Sequence, residues 1–151
     1  MYHEPGSWTS VPSLSGKRLI VTMSDAHKIL GFGKTYGVKL YETPVPLNVF
    51  SSASLNDSTA YFGCMDGALY KMDIISGKVV MIFQTDSSKK YYADFIDSSG
   101  KLREDVIEKY KDDATPLYKE FLKLGSIFST LWIDNGMLYF GSSDGYIYAI
   151  G

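Results

Sequence analysis

An internal repeat constrains the fold of this chain more than any other feature of its sequence. Residues 49–72 match residues 127–150 without a gap, at a shift of 78 positions. A weaker third copy begins at Trp8, and its Asp25 precedes the matching Asp66 by 41 positions. A period of about 40 residues is typical of one blade of a β-propeller, which is a small antiparallel sheet. The sequence therefore predicts three related sheets that lie side by side.

Each copy has the pattern of a four-stranded antiparallel unit. In the middle copy, apolar runs separated by turn residues predict strands at 49–55, 59–64, 68–73 and 78–85. The first copy repeats this order with its outermost strand at 38–42, and the last copy stops after its third strand. Asp-Gly pairs favour type I′ turns, in which both central residues have positive φ. We interpret the following as structural turn residues: Asp66, Gly67, Gly77, Asp144 and Gly145.

The predicted fold class is all-β, a partial β-propeller of about three four-stranded antiparallel blades with a small helical insertion. As one domain it divides into blades at 8–47 and 48–85, an insertion at 86–124 and an incomplete blade at 125–151. Propeller rings usually contain four to eight blades, and only a closed ring removes the free sheet edges. We therefore expect the chain to belong to a larger protein, with remaining blades or self-association completing the ring.

The insertion differs from the repeats in composition, because it carries eight basic and nine acidic residues of the 15 and 17 in the whole chain. Apolar residues recur at helical spacing in 102–110 and in 117–124, which predicts two short amphipathic helices, the second capped by Thr115. The connection between blades lies on the same face as the central hairpins, so we expect the helices over the Asp66-Gly67 and Asp144-Gly145 turns. Whether this face binds a ligand or the insertion only packs on a neighbouring blade stays open.

Charge and composition exclude several classes of partner and site. The formal net charge of −2 gives no electrostatic reason to expect nucleic acid or an anionic membrane surface as a partner. Cys64 is the only cysteine, which excludes an internal disulfide and a multi-thiolate zinc site. The two histidines, His3 and His27, leave few ligands for a transition metal. We find no signal-peptide pattern and no apolar stretch long enough to span a membrane, so no membrane span is expected.

Two loop motifs have a functional and a structural interpretation. The run Gly31–Thr35 suggests a phosphate-binding loop, but Lys28 stands where its first glycine should be, and the repeat places the run in the turn between strands three and four. Asp94, Asp97 and Ser99-Gly100 suggest a calcium loop, but apolar residues stand at its end positions, so helix capping is the better interpretation.

Four residues are candidates for catalytic groups, namely Asp66, Asp144, Cys64 and His27. Asp66 and Asp144 recur in the same register, and because a catalytic group is normally needed once, a role in turns is favoured. Cys64 lies on an apolar strand and is expected to be a small buried side chain. His27 takes the place of Ala68 on a third strand, and the sequence spacing alone supplies no acid or serine partner that would make it a catalytic histidine. The sequence thus predicts no catalytic, cofactor-binding or metal-binding residue.

Residues 61–80 and 138–150 resemble the pyrroloquinoline-quinone (PQQ)-type β-propeller repeat. That repeat commonly runs Tyr-x-Gly-x-x-Asp-Gly-x-Leu-Tyr-Ala-Leu-Asp-x-x-Thr-Gly-Lys-x-x-Trp, and its closing tryptophan docks one blade on the next. The corresponding position is Met81 in the second copy and Tyr41 in the first. The resemblance therefore implies that Tyr41 and Met81 are blade-docking positions.

The resemblance also implies a function. The departures from the repeat, including Phe32 where the second copy has Asp73, fit the quinone-free relatives that act as protein- or ligand-binding scaffolds. We expect such a non-catalytic module, without a cofactor, binding a protein or small ligand on the face that bears the insertion. The alternative is a fragment of a PQQ-dependent quinoprotein dehydrogenase, which would need PQQ, calcium, stacking aromatic residues and a carboxylate cluster. The resemblance further implies a periplasmic location if a signal lies outside these residues.

Overall fold

The computed structural model describes residues 2–3 and 7–151, whose strands form three antiparallel sheets. The first sheet contains, in order, β1 (Ser13–Ser15), β2 (Arg18–Met23), β3 (Lys28–Gly33) and β4 (Lys39–Pro44). The second contains β5 (Ser54–Asn56), β6 (Thr59–Gly63), β7 (Ala68–Asp73) and β8 (Val79–Gln84). The third contains β9 (Trp132–Asp134), β10 (Met137–Gly141) and β11 (Ile147–Ile150). The predicted succession of small antiparallel sheets is confirmed.

Inter-sheet hydrogen bonds repeat at the same positions along the chain. The Ser13 hydroxyl donates to the Ala53 carbonyl, and the equivalent Ser54 hydroxyl donates to the Leu131 carbonyl, each at 2.5 Å. Both bonds join the innermost strand of one sheet to the segment that leads into the innermost strand of the next. The second sheet therefore lies between the other two, with its innermost strand beside theirs, as in consecutive propeller blades.

Two apolar cores fill the spaces between the sheets. The larger lies between the first and second sheets and extends under the insertion, and its fully buried members include Ile20, Ile29, Phe62 and Met72. The smaller lies between the second and third sheets and is formed by buried Leu69, Ile127, Leu131, Leu138 and Phe140. Burial of each such side chain stabilises the folded state by about 1.5–3 kcal/mol, so these interfaces hold the sheets together.

The innermost strands are shorter than the sequence predicts. They begin at Ser13, Ser54 and Trp132 rather than at Trp8, Val49 and Ile127. The Ser51 hydroxyl donates to the Gly63 carbonyl and accepts from its N–H, at 3.0 and 3.1 Å, in place of a backbone partner. The Ser51 side chain thus takes the hydrogen bonds that a backbone group of the neighbouring strand would make with Gly63. The regular innermost strand therefore begins only after Ser51. Ser129 makes the same pair of bonds to Gly141 in the third sheet.

The hairpins between the second and third strands also differ from the prediction. The Gly67 N–H donates to the Cys64 carbonyl at 3.2 Å, and Gly67 has a φ of +75°. Among the described non-glycine residues, however, positive φ occurs only at His27, Asp57 and Asn135. Asp66 is not among them, so the predicted type I′ turn is wrong, and the left-handed residue is Gly67 alone.

His27 occupies a turn, not the third strand. The Val45 N–H donates to the His27 carbonyl at 2.9 Å, as the Thr85 N–H donates to the Gly67 carbonyl at 3.0 Å. His27 therefore replaces Gly67, with a φ of +46°, and its predicted equivalence with Ala68 is wrong. The reason is one extra residue in the first hairpin.

That extra residue also changes the alignment further along the first sheet. Gly33, not Phe32, corresponds to Asp73, because their N–H groups bond equivalent carbonyls of Val38 and Lys78 at 2.9 and 3.0 Å. In the glycine-rich run, only Lys34 and Thr35 lie in the turn before β4, since Gly31–Gly33 belong to β3.

The insertion contains three α-helices rather than two, namely α1 (Asp86–Phe95), α2 (Glu104–Lys109) and α3 (Thr115–Phe121), and ends in a 3₁₀ turn, Leu122–Leu124. The unpredicted helix α1 is capped by the Thr85 hydroxyl, which accepts from the Ser88 N–H at 3.0 Å. The Thr115 hydroxyl does not cap α3, because Thr115 is already helical and Ala114 precedes it. No helix in the described part of the chain is both long and apolar enough to cross a membrane.

Candidate functional site

The insertion lies over the central hairpin of the second sheet. The Ser88 hydroxyl of α1 donates to the Asp66 carbonyl, and the Thr85 hydroxyl donates to the Leu124 carbonyl, both at 2.7 Å. On the third sheet, the Ser143 hydroxyl donates to the Leu122 carbonyl at 2.9 Å. These bonds confirm that the helical segment lies on the face formed by the central hairpins.

A cleft of about 550 Å³ lies where the first sheet, the second sheet and the insertion meet. Its three walls are residues 43–46 at the end of β4 and just beyond it, residues 77–79 in the turn that leads into β8, and residues 99–102 of the insertion. His27 and Tyr70 also line it. A concave site of this volume, between structural units, is typical of ligand sites. The insertion thus creates a cleft that the sheets alone would lack.

The lining combines an apolar surface with positive charge. Its apolar residues include Pro44, Val45, Pro46, Val79 and Leu102. Lys78 and Lys101 also line the cleft, and the described lining residues include no carboxylate. Neither lysine forms a salt bridge with a described residue. The chemistry of the cleft therefore suits a molecule with an apolar body and a negative charge.

A polar network beside His27 connects the first sheet to α3. The Asn48 side-chain oxygen lies 3.1 Å from His27 Nε2, and its Nδ2 donates to Asp25 Oδ1 at 3.3 Å and to Tyr118 Oη at 3.4 Å. Asn48 is buried. Burial lowers the pKa of His27, partly offset by the Asn48 hydrogen bond and the charge of Asp25. The folded state therefore favours neutral His27.

This burial predicts a pH dependence of stability. Because the folded-state pKa of His27 lies below its ordinary value of 6.5, the unfolded chain binds the proton more readily, and stability should fall as the pH drops below 6.5. His27→Asn, which tolerates positive φ, should reduce the difference between urea unfolding free energies measured at pH 7.5 and 5.5. An equal fall in the wild-type protein and His27→Asn would contradict this role.

The two Asp-Gly hairpins share an aspartate–tyrosine pair. The Tyr70 hydroxyl donates to Asp66 Oδ2 at 2.5 Å, and the Tyr148 hydroxyl donates to Asp144 Oδ2 at 2.7 Å. Asp66 Oδ1 accepts from the Ala68 N–H at 2.9 Å, so both of its oxygens have donors. Burial raises the pKa of the fully buried Asp66, although these bonds oppose the shift. These contacts support the structural turn role.

The predicted docking positions have different surroundings. The Tyr41 hydroxyl donates to the Ile74 carbonyl of the second sheet at 3.0 Å. Met81 is 36% exposed. On the same strand, Phe83 packs on the third sheet, and the centroids of the Phe83 and Tyr148 rings are 5.1 Å apart. The sequence comparison missed Phe83 because it relied on the register of the family's tryptophan. The structure therefore shows inter-sheet contacts for Tyr41 and Phe83.

Cys64 and Asp97 make contacts that stabilise the fold. Cys64 is fully buried, its thiol donates to the Leu47 carbonyl at 3.4 Å, and burial raises its thiol pKa well above 9.0. Asp97 accepts from the Ser99 and Lys101 N–H groups at 2.8 and 3.1 Å, so it stabilises a tight turn rather than capping a helix. Among residues 2–3 and 7–151, no three His, Cys, Asp or Glu side chains are grouped as a metal site would require.

Comparisons with known proteins bear on the fold. BamB from Moraxella catarrhalis, a β-propeller protein, has a TM-score of 0.59 and 16% identity over 92% of this chain and 32% of its own. The fold is that of a partial β-propeller. The computationally designed Ika4 protein gives a TM-score of 0.58 and 10% identity over 94% of this chain and 64% of its own. No family model and no curated protein sequence matches the chain. The chain spans less than two thirds of either structural neighbour, and identities this low concern the fold alone.

Proposed function

We propose that the chain is a non-catalytic PQQ-like propeller module that binds its ligand or partner protein on the face bearing the insertion. The observation that carries the proposal is the cleft between the first two sheets and residues 99–102. Its volume suits a small molecule or a side chain of a partner protein. In this proposal the module works without a cofactor and within a larger protein.

The side chains around the hairpins support binding rather than catalysis. Asp66 has hydrogen-bond donors on both carboxylate oxygens and is fully buried, so it has no free oxygen for a substrate proton. Cys64 is also fully buried, and its raised thiol pKa disfavours the reactive thiolate. A binding function needs neither group and uses only the shape and charge of the cleft.

The test is a titration with 8-anilinonaphthalene-1-sulfonate, which combines an aromatic body with one negative charge. Backbone amide shifts should change mainly in residues 43–46, 77–79 and 99–102. Lys78→Glu with Lys101→Glu should weaken binding by about 2- to 30-fold, because two exposed charges contribute about 0.2–1 kcal/mol each.

Lys71→Glu is the matched control, since Lys71 is an exposed residue of β7 that does not line the cleft. It should leave the affinity unchanged. Shift changes outside the cleft, or equal affinities for the double variant and the wild-type protein, would show that the cleft is not the binding site.

A further inference from the structure

The cleft contains a histidine of which the fold engages only one ring nitrogen. His27 is half-buried and lines the cleft together with Lys78 and Lys101. Its Nε2 lies 3.1 Å from Asn48 Oδ1, whereas Nδ1 has no hydrogen-bond partner among the described residues. In the described part of the chain, no buried side-chain nitrogen or oxygen lacks a partner, so Nδ1 is accessible to solvent. His27 can therefore offer Nδ1 to a bound molecule.

Asn48 and Asp25 set the tautomer of this histidine. The Asp25 carboxylate accepts from the Ser24 hydroxyl at 2.9 Å and from Asn48 Nδ2 at 3.3 Å. Because a carboxylate only accepts hydrogen bonds, Asn48 turns its amide nitrogen towards Asp25 and its oxygen towards His27. His27 Nε2 is then the donor, and neutral His27 carries its proton on Nε2. A second proton binds at Nδ1 and leaves the Asn48 hydrogen bond intact.

The charges around His27 favour the neutral ring in the free protein. The ionisable groups come from its own hairpin, the turn before β8, the insertion, β7 and α3, and they are Asp25, Lys28, Lys78, Lys101, Tyr70 and Tyr118. Lys28 pairs with Glu42 at 3.3 Å, and segment 43–46 adds no ionisable side chain. Burial lowers the pKa of His27 more than the Asn48 hydrogen bond and the charge of Asp25 raise it. A bound anion would supply a further counter-charge to the protonated ring.

We propose that an anionic ligand binds in the cleft together with one proton, which His27 takes up from solvent at Nδ1. The protonated ring adds a charged N–H donor to the positive charges of Lys78 and Lys101, and no covalent bond of the ligand changes. By linkage, the cleft should bind anions more tightly as the pH falls from 7.5 to 5.5. This inference rests on the proposed function, because it assigns the charge of the ligand and the pH dependence of the same site.

The test measures proton uptake when 8-anilinonaphthalene-1-sulfonate binds, because its sulfonate stays ionised over this pH range. Isothermal titration calorimetry at pH 6 in MES and in Bis-Tris, which differ in ionisation enthalpy, should show net uptake of part of a proton. The affinity at pH 5.5 should exceed that at pH 7.5 by about 2- to 5-fold, which corresponds to about 0.4–1 kcal/mol from one partly screened charge. N-phenyl-1-naphthylamine, the same aromatic body without the sulfonate, should bind equally at both pH values.

Two further measurements assign the proton to His27. His27→Asn, which tolerates positive φ but cannot take up a proton, should abolish the proton uptake and the pH dependence of affinity. The control Lys71→Glu, outside the cleft, should keep both. In the wild-type protein, nitrogen-15 shifts of the His27 ring should show Nε2 protonated in the neutral form and a raised pKa when the sulfonate is bound. The second measurement does not depend on folding of the variant.

The outcomes separate this inference from the proposed function. Equal affinities at pH 5.5 and 7.5, with amide shift changes still in residues 43–46, 77–79 and 99–102, would overturn the inference alone. Absence of shift changes in these segments at both pH values would overturn the proposed function and the inference with it. Proton uptake that persists in folded His27→Asn, or a neutral His27 ring protonated on Nδ1, would also contradict the inference.

Discussion

Gly67→Ala is expected to lower the free energy of unfolding by about 3 kcal/mol or more and to release the insertion from the second sheet. A methyl group on Gly67 would overlap the Leu124 carbonyl oxygen and approach Ser88 Cβ to 2.9 Å. The residue also has a φ of +75°, which costs alanine about 1–2 kcal/mol by itself. The insertion can therefore keep its place only if the hairpin or Leu124 moves.

The matched control is Gly145→Ala at the same place in the third sheet. Its φ is +86°, but nothing lies within 4 Å of the added methyl group, so only the backbone strain of about 1–2 kcal/mol is expected. Urea unfolding gives both free energies, and amide hydrogen exchange in α1 reports release of the insertion. Equal losses in the two variants would contradict the close packing of the insertion on the second hairpin.

Tyr70→Phe is expected to cost about 2–3 kcal/mol, because it removes the donor from a fully buried carboxylate oxygen. Tyr148→Phe breaks the equivalent bond at a half-buried position, where water can replace the hydroxyl, so about 1 kcal/mol or less is expected. Chemical unfolding of the two variants at pH 7 measures this difference directly. A loss for Tyr148→Phe as large as that for Tyr70→Phe would show that burial of Asp66 does not set the cost.

The same substitution should change the pH dependence of stability. Burial raises the folded-state pKa of Asp66 above its ordinary value of 3.8, so stability is lost as the pH rises from that value through the folded-state pKa. The Tyr70 hydrogen bond lowers this pKa, so its removal should raise the folded-state pKa further and make the total loss of stability between pH 4 and pH 7 larger. Comparing Tyr70→Phe with the wild-type protein at pH 4 and pH 7 tests the sign. A larger cost at pH 4 would contradict it.

The repeat could be predicted from the sequence because it depends on local signals. Turn glycines such as Gly67 and Gly77 recur at fixed distances from apolar runs, and each sheet forms from one continuous segment. The sheets therefore follow the order and nearly the bounds that the spacing predicts. The same local logic identified Asp66 as a turn residue, although it assigned the wrong turn type.

The features that were missed depend on side chains that act in place of the backbone or on contacts far apart in the sequence. The Ser51 hydroxyl replaces a ladder bond, which no strand pattern reveals. Helix α1 depends on the Thr85 cap and on packing against the second hairpin rather than on apolar periodicity. His27 reached its turn position through one extra residue.

The candidate site also depends on contacts between segments that lie far apart in the sequence. The cleft combines residues 43–46, 77–79 and 99–102, which come together only when the insertion folds back on two sheets. No spacing within the sequence links these three segments. The sequence does not identify Lys78 and Lys101 as binding residues, because they line the same cleft only after the insertion packs on the sheets.

Nuclear Overhauser effects between the innermost strands test the central claim most directly. The account predicts cross-peaks between Ser13 and residues around Ala53, and between Ser54 and residues around Leu131, because β5 lies between β1 and β9. It predicts none between β1 and β9. Cross-peaks joining β1 directly to β9, or none from β5 to either neighbour, would show that the three repeats do not form consecutive blades of a propeller.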